Sequence, residues 1–295
     1  MSLRIYNPVI GRDPWTSFCT FSATSAHADY PATNLGTMDF NQVWRTAAAV
    51  SSVTITGVFS RDLAMGMLGL CNYNGTQGDT FRLQLCSDAG ATAVILDTDD
   101  LTLPGGNALM PPCYSDDQLE AEDDNWWTAT YRTDELENRR RHRMIWLGEQ
   151  WLTRSFKLTL TKTGPAGVLQ IGALIPCRGY QFSRGIGVGS GRGHASSSVV
   201  TQADGGKEYG DLRLKPRVFQ GQFMQLTQEE ADEIVGEMKD RHDVVPENPV
   251  LWHPFPQVPR QWLRTSFPAR FAALDLQQYI GPQRSGAPVN FREVI

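Results

Sequence analysis

The sequence contains no recognisable motif for catalysis, metal binding or nucleotide binding. Its five histidines include no pair spaced i, i+4 and no His-x-His pattern. No two of its five cysteines are close enough to form a zinc knuckle or a thioredoxin-type motif. No Gly-x-Ser-x-Gly elbow leads from a strand into a helix. These absences predict a protein that is not an enzyme and that holds neither a metal nor a cofactor.

Long apolar segments and strong positive charge are absent as well. No stretch approaches the roughly 20 apolar residues of a membrane span, and the N-terminal sequence MSLRIYNP has no apolar signal core. The net charge of −5 argues against a broad nucleic-acid surface. We therefore expect a soluble protein made in a cytoplasm, with reduced cysteines in its core and with no membrane span or nucleic-acid partner.

Strand patterns dominate the first two thirds of the chain. The segment SVTITGVF at 52–59 is rich in β-branched residues, and FRLQL at 81–85 and SFKLTLT at 155–161 alternate apolar with polar residues. The nearly continuous apolar run at 63–71 predicts a strand that is covered on both faces. Several such segments are separated by turns, and apolar residues rarely recur at the spacing of a helix. This pattern predicts an all-β fold. We expect an antiparallel, jelly-roll-like β-sandwich over residues 1–183.

A long insertion at about 99–150 interrupts this pattern. It contains turn residues, an acidic stretch at 116–124, the pair Trp126-Trp127 and a basic run at 139–143. A connection of this length inside a compact domain is usually functional or has structure of its own. We predict an elaborated loop at one end of the sandwich, in which the acidic and basic stretches pair within or between subunits.

Glycine and serine mark the next boundary. Residues 184–210 are predicted to be a Gly/Ser-rich linker or ordered loop with flexible or turn-rich backbone, because the glycine run lacks the helix and the lysine of a phosphate-binding loop. Residues 211–295 are predicted to form a smaller β-rich region with one helix. That helix is expected at 226–235, where Thr227 and Glu230 have the spacing of a capping box.

Two groups of motifs follow one another in an informative order. The first group is ADYPATNL at 28–35, VWRT at 43–46, LAMGMLGLCNYN at 63–74 and FRL at 81–83. The second group is GGKEY at 205–209, LR at 212–213, Phe223, LTQEEA at 226–231 and PVLW at 249–252. In this order the motifs resemble galactose-binding-like (discoidin-type) sandwiches in tail proteins of tailed bacteriophages.

The resemblance implies a structural virion protein of the tail tip or baseplate, assembled in the host cytoplasm and located in the virion tail. Its partners would be other phage tail proteins and copies of itself. The alternative is a carbohydrate-binding module that recognises host-surface glycans, which is suggested by fold similarity alone. A glycan-degrading enzyme is a third hypothesis, and it would need two carboxyl groups facing each other across a cleft.

Tryptophan, tyrosine and arginine in and beside the insertion are the candidate contact residues. Aromatic side chains anchor protein interfaces and can stack on sugar rings, and charged residues add complementarity. The predicted interface or glycan contacts are Trp126, Trp127, Tyr131, Arg139, Arg140, Arg141, Arg143, Trp146 and Trp151. No catalytic, cofactor-binding or metal-binding residue is predicted.

Overall fold

The protein is an antiparallel β-sandwich joined to a second β-rich unit, which confirms the predicted fold class. The computed structural model describes residues 7–110, 131, 140–196, 198–202, 206–211, 213–244, 246–274, 278–281 and 284–294.

The sandwich contains the first eight strands. They are β1 (Val9–Pro14), β2 (Cys19–Ala23), β3 (Trp44–Arg45), β4 (Ser52–Tyr73), β5 (Thr80–Cys86), β6 (Val94–Asp97), β7 (His142–Thr161) and β8 (Gln170–Gln181). Short 3-10 helices lie between them at Thr16–Phe18, Ala32–Gly36 and Thr98–Asp100.

The described residues of the rest of the chain form eight further strands and short helices. The strands are β9 (Gly191–His194), β10 (Val199–Gln202), β11 (Glu208–Asp211), β12 (Arg217–Leu226), β13 (Val250–His253), β14 (Phe267–Ala273), β15 (Gln278–Gly281) and β16 (Arg284–Glu293). A π-helical stretch, Glu230–Gly236, continues into α1 (Glu237–Arg241). A 3-10 turn at Pro259–Gln261 precedes α2 (Trp262–Thr265).

Two long strands, β4 and β7, run through both layers of the sandwich. The first half of β4 pairs with β2, its second half pairs with β8, and β7 accompanies it along both halves. The β4–β7 pairing shifts register between Val58 and Leu63 and again between Met65 and Met67. Such bulges bend a strand and increase its twist. They therefore mark where both strands pass from one layer to the other.

The apolar run in the second half of β4 is buried on both faces, as its composition predicts. Leu68 and Leu70 belong to the core between the sandwich layers, whereas Met67 and Cys71 belong to a cluster on the opposite face. Side chains alternate between the two faces of a strand, so every position of this segment needs an apolar side chain.

The second β-rich unit continues the same sheet. The order of hydrogen-bonded strands is β6-β5-β7-β4-β8-β1-β13-β14-β16-β12-β9. Strand β1 lies between β8 of the sandwich and β13 of the second unit. A separate apolar core that includes Phe223, Trp252 and Phe291 packs beneath the helical segment. The two units are thus joined through a shared sheet.

The predicted linker at 184–210 contains short strands that the sequence did not predict. β9 pairs with β12, and β10 pairs with β11 in a separate two-stranded sheet. Gly189 and Gly206 have positive φ and lie between the strands, whereas Gly191 and Gly193 lie within β9.

The prediction that the insertion ends at about residue 150 is wrong. Residues from His142 onward form the start of β7, at the centre of the sandwich. The basic composition of this segment suggested an exposed loop, but His142 and Arg143 are buried against the C-terminal unit.

The predicted helix and its capping box are confirmed. The Thr227 hydroxyl accepts a hydrogen bond from the Glu230 N–H at 3.1 Å, and the Glu230 carboxylate accepts one from the Thr227 N–H at 3.2 Å. The helical segment continues to Arg241, six residues beyond the predicted end at 235.

Candidate interaction surface

An exposed hairpin, β10–β11, extends from the second unit and is called the arm below. Val199 pairs with Asp211, and Thr201 pairs with Tyr209. The β-branched sequence Val-Val-Thr favours an extended strand, and Gly206 supplies the positive φ of the turn region. The arm is therefore a local structure encoded by its own sequence.

The arm has no apolar core of its own. All eight residues of β10 and β11 are exposed. Within the described residues, no member of either strand belongs to a hydrophobic cluster. A two-stranded hairpin on its own is at best marginally stable in water. Contact with another surface would supply the burial that this hairpin lacks.

Three large apolar side chains of the arm are available for such a contact. Val199, Val200 and Tyr209 are 46%, 64% and 57% exposed. Since side chains alternate along a strand, Val199 and Tyr209 lie on one face of the arm and Val200 on the other. The Lys207 ammonium lies 5.3 Å from the centre of the Tyr209 ring. Aromatic side chains of this kind are enriched in protein interfaces.

Some of the contact residues predicted from sequence lie outside the described part of the chain. These are Trp126, Trp127, Arg139 and the acidic stretch at 116–124. Their roles stay predictions.

Two predicted contact residues lie in the interior. Tyr131 is buried with Met110, and the guanidinium of Arg143 lies 3.7 Å from the centre of the Trp262 ring. Burial lowers the pKa of Arg143 to about 9. Neither side chain is available to a partner or a sugar, because the C-terminal unit and the residues after β6 cover them.

Arg143 separates two small cavities between the sandwich and the C-terminal unit. One is lined by Tyr73, Tyr131 and Trp262, and the other by Trp146 and Trp262. Each holds about 10 Å³, which is room for one water molecule. Neither cavity can admit a sugar ring.

The other four predicted contact residues in the described part of the chain make contacts within their own chain. Arg140 donates a hydrogen bond to the Asn41 side chain at 3.2 Å, and Arg141 donates one to the Gly75 carbonyl at 2.6 Å. The half-buried Trp146 ring lies against Gly179 in β8. Trp151 packs on the edge of the sandwich core. The sequence therefore did not show that several of these residues bond to or pack against other parts of their own chain.

A buried charged cluster joins the two units and was not predicted. Both carboxylate oxygens of Glu293 accept hydrogen bonds from Arg217, at 2.6 and 3.0 Å, and His142 lies 3.1 Å from Glu293. Burial alone would raise the pKa of Glu293, but the His142 hydrogen bond and the Arg217 charge outweigh it and hold the pKa well below its usual range. Burial lowers the pKa of His142 to about 4. The cluster is therefore a carboxylate–guanidinium pair with a neutral histidine.

The described residues contain no group of three or more His, Cys, Asp or Glu side chains placed to hold a metal ion. Among the same residues, no helix is both long and apolar enough to cross a membrane. Cys71, Cys86 and Cys177 are buried free thiols, as predicted for core cysteines.

Sequence reasoning missed the arm because the glycine and serine content of this region suggested a linker or loop. The useful signal was the short run Val199-Val200-Thr201, followed by a glycine pair and Tyr209. Two β-branched or aromatic segments around glycine are typical of a hairpin.

Comparisons with known proteins identify no family for this chain. No family model matches the sequence, and no curated protein matches it.

Solved structures with similar architecture include carbohydrate-binding proteins. The family 32 carbohydrate-binding module of C. perfringens NanJ, in complex with galactose, is 13% identical, with 57% of this chain and 98% of that chain covered and a TM-score of 0.35. The chitosan-binding module 1 from a Paenibacillus sp. IK-5 chitosanase/glucanase is 13% identical, with 56% and 98% covered and a TM-score of 0.37.

A larger protein shows the same partial similarity. The Ruminococcus gnavus GH29 fucosidase, in complex with fucose, is 9% identical, with 57% of this chain and 27% of that chain covered and a TM-score of 0.36. At these identities and TM-scores, the similarities carry no argument about what this chain binds.

Proposed function

We propose that this chain is a non-enzymatic structural subunit that assembles with other copies of itself and with neighbouring proteins through its exposed arm. The observation that carries the proposal is the arm itself, which exposes both of its faces and has no core. A hairpin of this kind gains most of its stability when another surface covers Val199, Val200 and Tyr209.

The rigid joint between the two units supports the same function. A continuous sheet and the buried Glu293–Arg217 pair fix the second unit to the sandwich. The arm is therefore held by a stiff body, and a stiff body loses less conformational entropy on association than a flexible one.

The proposed setting is the tail tip or baseplate of a tailed bacteriophage, with the virion tail as its location. The support is the order of sequence motifs from ADYPATNL at 28–35 to PVLW at 249–252. Immunogold labelling of purified particles tests this setting. Label at the distal end of the tail is expected, and particles without label would contradict it.

The assembly function is tested by sedimentation of the full chain over a range of concentrations. The wild-type chain should form oligomers, and the variant Val200→Asp with Tyr209→Asp should dissociate at least tenfold more readily, because each lost apolar anchor weakens binding by about 1–2 kcal/mol. Val188→Asp is the matched control, since Val188 is also an exposed valine but lies outside the arm. A wild-type chain that stays monomeric, or arm variants that behave like wild type, would contradict the proposal.

A second candidate function is glycan binding at residues 27–30, at the start of the segment ADYPATNL. His27 and Tyr30 form a partly exposed aromatic pair with ring centres 5.5 Å apart, and the Asp29 carboxylate lies 3.7 Å from His27. An exposed ring beside a carboxylate can stack on a sugar and accept hydrogen bonds from its hydroxyls.

A glycan array distinguishes this second candidate from assembly. Glycan binding that Tyr30→Ala weakens tenfold or more, and that Tyr209→Ala leaves unchanged, would support it. An array with no retained glycan would exclude it.

A further inference from the structure

We propose that the arm of one copy adds, through β10, to the free edge of β6 in a second copy and extends the sandwich sheet. This inference rests on the proposed assembly function and names the surface that receives the arm. The argument uses the sheet edges, the apolar side chains and the charges at the two partners.

β6 is a four-residue strand at the edge of the sheet, with a register shift at Ile95. It is the terminal strand of the sheet order, and among the described residues it pairs only with β5. Val94 and Ile95 are 46% and 37% exposed. The strand contains neither lysine nor proline, which commonly protect edge strands from pairing. The side chains of Val94 and Ile95 are therefore accessible to another strand.

The charge at the end of β6 faces its own sheet. The Asp97 carboxylate pairs with Arg82 and accepts a hydrogen bond from Gln84 at 2.7 Å, and both partners belong to β5. These interactions hold the pKa of Asp97 at about 2, the hydrogen bond from Arg82 being the main cause. The negative charge of Asp97 is thus balanced by Arg82 of its own sheet, and it does not oppose pairing at the free edge.

The opposite end of the sheet is a poorer acceptor. β9, with the sequence Gly-Arg-Gly-His, ends the sheet order on that side. Its glycines offer no side chain to pack, and glycine weakens a strand interior. Of the two terminal strands, β6 is the one that offers an apolar edge.

β10 is the better donor strand of the arm. Its sequence, Val-Val-Thr-Gln, is uncharged and β-branched, and it has the same length of four residues as β6. β11 carries Glu208 and Asp211 and would meet the exposed acidic residues that follow β6. Like charges in adjacent positions are unfavourable, so β10 is favoured.

Charge complementarity sets the direction of pairing. Antiparallel addition places the base of the arm, next to Val199, beside the end of β6. Arg213 lies at that base, where its N–H donates to the Ser198 hydroxyl at 3.1 Å, and Lys215 follows it at an exposed position. Asp99 and Asp100 are exposed directly after β6. Arg213 pairs with Asp211 at 2.7 Å, and Asp99 pairs with Arg82 at 3.1 Å, within their own chain. Lys215 would then face Asp100 across the contact.

The geometry of this contact is head-to-tail. Each copy offers one arm and one β6 edge, and these are different surfaces. Repetition of such a contact closes a ring or builds a helix, depending on the rotation between neighbours. One type of contact is therefore sufficient to build a multi-copy assembly.

Site-specific photo-crosslinking in the full chain tests the inference. A photoreactive residue at Val200 in unlabelled protein is mixed with ¹⁵N-labelled wild-type protein, and cross-linked peptides are identified by mass spectrometry. Cross-links from position 200 to the labelled segment 94–97 are expected. The control carries the photoreactive residue at Val188, which should give none to that segment.

The outcomes separate this inference from the proposed function. Oligomers whose cross-links from position 200 fall on β9, on another arm or elsewhere overturn the β6 assignment and leave assembly intact. A chain that forms no oligomers overturns both.

A charge exchange tests the direction of pairing. Asp100→Lys and Lys215→Asp should each raise the dissociation constant severalfold, and the two together should restore most of the affinity. If the losses of affinity caused by the two single substitutions simply add in the double variant, these residues are not neighbours in the assembly.

Discussion

At the scale of single residues, the buried Glu293–Arg217 pair connects distant parts of the chain. Glu293 is in the last strand, Arg217 begins β12 and His142 begins β7, so three distant parts of the chain meet at one carboxylate. Asn72 donates its N–H to Nδ1 of His142 at 3.4 Å, while Glu293 faces Nε2. A neutral imidazole that is protonated at Nε2 satisfies both contacts.

Removal of one partner from this pair should be costly. Arg217→Met leaves a buried carboxylate without its cation, and we expect the free energy of unfolding to fall by about 3–5 kcal/mol. The double variant with Glu293→Gln should lose less, because no charge stays unpaired. Urea unfolding measures both, with Arg154→Met at the solvent-exposed Arg154–Asp62 pair as the control. Equal losses in the single and double variants would contradict the assignment.

The depressed pKa of His142 makes stability depend on pH. The unfolded chain binds a proton at this residue near pH 6.5, but the folded chain does so only near pH 4. The unfolded state therefore holds more protons between these values, and stability falls as the pH drops from 6.5 towards 4.

The variant His142→Gln tests the direction of this pH dependence of stability, since glutamine can still donate a hydrogen bond to Glu293. The slope of unfolding free energy against pH should decrease by up to about 1.4 kcal/mol per pH unit near pH 5. An unchanged slope in His142→Gln would show that this histidine does not titrate as described.

At the scale of elements, the sequence predicted what depends on local pattern. The alternation in β4 and β5 and the Thr227–Glu230 capping box all follow from residues close together in the chain. The start of β7 could not be predicted in this way. Its polar residues His142 and Arg143 are buried by Glu293 and Trp262, which lie more than a hundred positions away.

The packing of β7 on β8 gives a test at the element scale. A Cβ atom at Gly179 would overlap the ring of Trp146, so Gly179→Ala should destabilise the protein by about 1–3 kcal/mol. Trp146→Leu in the same chain should recover part of that loss. Thermal unfolding compares these variants with Gly191→Ala in β9, where no atom lies within 4 Å of the added Cβ. If Gly179→Ala is as harmless as Gly191→Ala, Trp146 is not held against β8.

At the scale of the whole molecule, the fold could be predicted from the sequence, but the arm could not. The sandwich follows from strand periodicity, which is a property of each segment. The predicted surface was centred on tryptophan and arginine, yet Tyr131 and Arg143 are interior. The arm became visible only when the fold showed which extended segment belongs to none of the apolar cores of the described residues.

Amide hydrogen exchange of residues 199–211 at low and high protein concentration tests the central claim most directly. In dilute monomer the arm should exchange with little protection, because an isolated hairpin is marginal, while the paired strands β4 and β7 stay protected. As oligomers form, protection of the arm should rise together with the oligomer fraction. Arm amides that are equally protected at all concentrations would contradict an arm ordered by a second copy.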